Sequence, residues 1–112
     1  MEEIKESWEH KIRSLAPKLQ EAEYKVFKAE ADVKKISAQL KLKAMSTGAK
    51  TVAAQEVFAE NNDLLYNARL NVGVCKGNLT SWRVQLEALK VGFEEWRTKM
   101  VNAREERKRY GA

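Results

Sequence analysis

Apolar residues recur at alternating spacings of four and three along two long stretches of this sequence, a pattern that fits paired helices and little else. In the first stretch they are Trp8, Ile12, Leu15, Leu19, Ala22, Val26, Ala29, Val33, Ile36 and Leu40. In the second they are Leu65, Ala68, Val72, Cys75, Leu79, Trp82, Leu86, Leu89, Phe93, Trp96, Met100 and Ala103. Such a heptad repeat keeps one stripe of each helix against a partner and implies left-handed supercoiling. Five glycines and one proline are the only strong breakers in 112 residues, so the helices must be few and long.

The segment between the two seams supplies the turn. Gly48 can end a helix in a left-handed conformation, and Thr51 can cap the helix that follows. A second interruption is expected at Asn61, Asn62 and Asp63, whose side chains compete for backbone hydrogen bonds. The expected architecture is therefore all-α: one domain over residues 1–112, a long antiparallel coiled-coil-like hairpin. Arm one spans 2–45, the tip 46–62 with a short helix at 52–60, and arm two 63–108. Each arm is about 65 Å long at the helical rise. Pairing them brings Leu40 near Leu65 and Trp8 near Trp96 and Met100. Pro17 falls on the outer side of arm one, where it should kink the helix rather than end it.

Two helices on one seam leave most of their surface in water, and units of this size usually gain stability from association. Arm two carries a second stripe opposite its seam, Leu70, Val74, Gly77, Val84, Ala88 and Val91, with Gly73 and Gly92 beside it. Apolar and small residues on a face that should be polar mark a candidate homo-oligomer interface of Leu70, Gly73, Val74, Gly77, Val84, Ala88 and Val91.

No residue combination supports catalysis or metal binding. His10 is the only histidine, Cys75 the only cysteine and part of a seam, and the glycines form no phosphate loop. No cofactor is expected, and the chain is read as a non-enzyme. Its start is acidic and amphipathic, unlike a secretory signal, and no stretch is long and apolar enough for a bilayer. A cytoplasmic protein without membrane contact is the expectation.

Charge is distributed unevenly. From Val33 to Gln55 the cations Lys34, Lys35, Lys41, Lys43 and Lys50 meet no acidic residue, and from Leu64 to Leu86 neither do Arg69, Lys76 and Arg83. An antiparallel hairpin lays these stretches side by side, making the tip half basic apart from Glu56, Glu60 and Asp63 on the short connecting helix, while Glu2, Glu3, Glu6 and Glu9 put acid at the other end. Multiplied around an oligomer, such a field holds a polyanion by displacing counterions. Lysines and arginines that merely solubilise a coiled coil explain the same pattern. Tyr24, Tyr66 and Tyr110 offer stacking surfaces for bases if exposed.

The tip segment Lys50-Thr51-Val52-Ala53-Ala54-Gln55-Glu56, followed by a helix ending in Trp96-Arg97-Thr98 and Ala103-Arg104-Glu105-Glu106-Arg107, resembles small coiled-coil proteins of tailed phages. In layout the chain also resembles UvsY-type phage recombination mediators. That resemblance implies a ring that binds single-stranded DNA and helps load a recombinase in place of single-strand-binding protein, either of which is then a possible partner. The eight cations above are the expected DNA-binding residues. A protein-binding module that inhibits a host defence or repair enzyme is the alternative, and a role in virion assembly a third.

Overall fold

The computed structural model of the chain describes residues 2–109, with side chains described from Ser7 onward. Three helices account for them: α1 (Glu2–Ser46), α2 (Val52–Glu60) and α3 (Asp63–Arg109). The fold is the long antiparallel helical hairpin with a short tip helix that the spacing predicts, and its boundaries agree with the expected ones to within one residue at the arms. Both seams are realised: every predicted seam residue of α1 and α3 is buried or half-buried. Pro17 is exposed, and α1 continues through it.

By internal packing the chain forms two compact units, one of residues 1–19 and 81–112, the other of residues 20–80. The second contains the turns. Gly48 has a φ of 109°, a conformation that glycine adopts without the Cβ conflict other residues meet. This lets Ala49 N–H donate to Ala44 O at 2.9 Å and Gly48 N–H to Met45 O at 3.3 Å. The two bonds close the carbonyl end of α1 in a Schellman arrangement. Thr51, extended, caps α2 by accepting from Ala54 N–H at 3.1 Å. Gln55 reaches back from α2 to donate to Ala49 O at 3.2 Å, fastening the helix to the turn it leaves.

The break after α2 is also a matter of hydrogen bonds. Asn61 N–H donates to Val57 O, and Asn62 N–H to Ala59 O, while the Asn62 Oδ1 accepts from Leu64 N–H at 2.9 Å. One asparagine thus finishes α2 and its neighbour starts α3. Asp63 follows in the first turn of α3, where its charge suits the positive end of the helix dipole. These caps bring α2 onto a small core of Leu40, Ala59 and Leu65, against which Val33, Ile36 and Phe58 are packed.

In the unit of residues 1–19 and 81–112, Leu15 is buried and aromatic residues supply much of the rest. Trp96 stacks on Phe93, ring centroids 5.9 Å apart. The ammonium of Lys11 lies over Trp8 at 5.3 Å and that of Lys18 over Trp82 at 5.0 Å, each cation over a ring face that attracts it. One detail corrects the sequence reading. Gly92 does not lie beside the outer stripe: a Cβ there would stand 2.8 Å from Cη2 of Trp8. The indole therefore seats on α3 one turn before Trp96, and glycine is what admits it.

Candidate nucleic-acid interface

The eight cations singled out by the sequence do not form one surface. Three of them, Lys34, Arg69 and Lys76, line an open groove of about 360 Å³ between α1 and α3 within residues 20–80. Val33 and Val72, themselves seam residues, form its apolar floor, and Glu30 stands at its edge. Lys41 is seven residues beyond Lys34 and shares its face of α1. Lys35 and Lys43 are each turned well away from that face by helical geometry, and both are exposed. Lys50 is exposed in the turn between α1 and α2. Arg83 belongs to the other unit.

Absence of acid along the chain does not carry over into space. Lys76 Nζ is 3.4 Å from Glu30 Oε1, an ion pair from α3 to α1. Arg69 grips Glu60 with both arms of its guanidinium: Nη2 donates to Oε1 at 2.6 Å, and Nη1 donates to Oε2. Two carboxylates therefore face the four cations Lys34, Lys41, Arg69 and Lys76, and the excess is positive. Both pairs are solvent-exposed, so an incoming anion can exchange for the carboxylate while the cation stays in place. In the unit of residues 1–19 and 81–112, Glu9 pairs with Arg13 at 3.9 Å. The side chains of Glu2, Glu3 and Glu6 lie outside the described residues, as does Tyr110.

The Arg69 hydrogen bonds hold the Glu60 carboxyl below the usual carboxylate range, aided by the charges of Arg69 and Lys41 and opposed by desolvation. The same bonds raise Arg69 above its ordinary value. The folded chain binds this Glu60 proton more weakly than the unfolded chain does. The stability it contributes is therefore present above the ordinary glutamate value of about 4.3 and is lost as pH falls through the lowered folded value. Glu60→Gln is expected to flatten the acid limb of a plot of Tm against pH and to leave the limb above neutrality unchanged. An unaltered acid limb in calorimetry would show that the bridge contributes nothing to folding.

All seven residues of the candidate oligomer interface, Leu70, Gly73, Val74, Gly77, Val84, Ala88 and Val91, are exposed. Among the described residues, no atom beyond the local helix backbone lies within 4 Å of where a Cβ on Gly73 or Gly77 would stand. Tyr24 and Tyr66 are exposed as well, but neither lines the groove. His10 is exposed and Cys75 is half-buried, its Sγ 4.0 Å from Asn71 Oδ1. Among the described residues no cluster of His, Cys, Asp or Glu is placed to hold a metal, and no helix is long and apolar enough to cross a membrane.

Sequence reasoning sets Glu60 apart as acid on the tip helix without pairing it to Arg69, and misses Glu30 beside Lys76, because it counts charge along the chain. Counting outward along both arms from the Leu40–Leu65 contact brings Glu30 and Lys76 within one residue of the same level, so the register held the signal. Comparisons of the chain with known protein families, with characterised proteins and with solved structures return no match.

Proposed function

We propose that the chain is a non-enzymatic protein that holds single-stranded DNA as a homo-oligomer, in the manner of a phage recombination accessory or mediator. The observation that carries this reading is the convergence of Lys34, Arg69 and Lys76 on one groove with an apolar floor. Cations spaced along a groove neutralise successive phosphates without reading sequence. Val33 and Val72 between them offer apolar contact to the unstacked bases that a single strand presents and a duplex hides. Ion pairs with Glu30 and Glu60 hold Lys76 and Arg69 extended before DNA arrives, which lowers the entropy lost on binding. One such groove is a weak site, and repetition around an oligomer makes many weak contacts cooperative.

Fluorescence anisotropy with labelled oligonucleotides tests this. Binding at low salt to single strands of different base composition with similar affinity, and weaker binding to a duplex of equal length, is the expected result. A preference for the duplex would rule out the single-strand role.

A further inference from the structure

The four cations on the groove face are of two kinds, one on each long helix. Arg69 and Lys76 of α3 are already occupied: Arg69 Nη2 donates to Glu60 Oε1 at 2.6 Å and Nη1 to Oε2, and Lys76 Nζ stands 3.4 Å from Glu30 Oε1. Both carboxylates come from other elements, Glu60 from the last position of α2 and Glu30 from the middle of α1. Lys34 and Lys41 of α1 form no ion pair among the described residues, and Lys41 acts on Glu60 through charge alone. Within each pair of cations the spacing is seven residues, about 10 Å along the helix.

Exchange at an occupied cation gains little by itself. A phosphate oxygen that takes the Arg69 guanidinium replaces a carboxylate oxygen that bonds it in the same charge-assisted way. The displaced Glu60 cannot leave, because α2 is held by the Thr51 cap and by Ala59, buried against Leu40 and Leu65. Its charge stays beside the phosphate and opposes it. Glu30, fixed within α1, has the same effect at Lys76. An isolated anion therefore finds no net attraction at either cation. A strand already held on Lys34 and Lys41 is different, since it presents its neighbouring phosphates at high effective concentration and its contacts add.

We propose that Glu30 and Glu60 are specificity-determining residues of the groove: they keep Arg69 and Lys76 closed to isolated anions, so that a strand of linked phosphates must first engage Lys34 and Lys41. This rests on the single-strand binding proposed above and gives it an order. The ion pairs that extend Arg69 and Lys76 also screen what reaches them.

The test compares four forms of the whole chain by anisotropy with a labelled thymidine oligonucleotide at low salt: wild type, Glu30→Gln with Glu60→Gln, Lys34→Gln with Lys41→Gln, and all four changes together. Every substituted side chain is exposed or half-buried and glutamine is a good helix former, so the fold is retained. Removing the carboxylates is expected to tighten binding about tenfold, and removing the lysines from the wild-type chain to weaken it at least about a hundredfold. In the chain without the carboxylates the same lysine changes weaken binding only about tenfold, because two open cations remain, and that non-additivity is the signature of screening. Glu56→Gln removes an equal charge from an exposed position of α2 and is expected to alter affinity less than about twofold. Inorganic phosphate, titrated at constant ionic strength, competes with the oligonucleotide on the chain without the carboxylates and not on the wild type. Equal lysine losses in both backgrounds, a carboxylate variant that binds no tighter than Glu56→Gln, or equal competition by phosphate on both chains overturns the screening role and leaves DNA binding by the groove intact. Failure of both the wild type and the carboxylate variant to bind at the lowest salt overturns the nucleic-acid reading and this proposal with it.

Discussion

Leu65→Ala is expected to lower the unfolding free energy by about 2–5 kcal/mol, the range for a buried leucine whose cavity cannot collapse. Leu65 has no exposed surface and is the largest side chain fully buried among the described residues. It meets Leu40 from α1 and Ala59 from α2, so its truncation loosens all three helices where the tip closes. Small domains have about 5–15 kcal/mol in total, and this loss is a large share of it. The neighbouring Leu64 is 63% exposed, and Leu64→Ala is expected to change stability by less than about 0.5 kcal/mol. Urea denaturation of the two variants measures the difference, and equal midpoints would mean that the α3 seam is turned from the position described.

Reversing Lys34, Arg69 and Lys76 to glutamate together is expected to weaken oligonucleotide binding at least about a hundredfold at low salt, with all sequences affected alike. The effect is large because Glu30 remains: the groove changes from a cationic excess to four carboxylates without a cation among its lining residues. Lys35→Glu with Lys43→Glu alters charge on other faces of α1 and is expected to cost far less. Titration by anisotropy compares the two sets. Equal losses would mean that net charge alone attracts DNA and that the groove has no special part.

Much of the fold is written in the sequence because burial in a two-helix pair follows one periodicity. Every residue from Trp8 to Leu40 and from Leu65 to Ala103 placed on a seam is buried or half-buried, and Gly48, Thr51 and Asn62 perform the caps that their backbone and side-chain chemistry predicts. The register was harder to read. Trp8 seats on Gly92 because a ring of that size needs a missing Cβ opposite it, a preference that spacing alone does not reveal. The groove was legible only in part, since Lys34 and Lys35 are adjacent in sequence and face different ways on a helix. The exposed apolar side chains Tyr24, Phe27 and Leu42 of α1 went unread because Lys34 and Lys41 stand where a regular repeat would continue.

The binding of a single-stranded oligonucleotide as salt is raised from about 50 to 200 mM tests the central claim most directly. If Lys34, Lys41, Arg69 and Lys76 neutralise phosphates, log affinity falls linearly with log salt, with a slope of about −2 to −3 for each protomer engaged. Binding that is indifferent to salt, or absent at the lowest salt, contradicts the account.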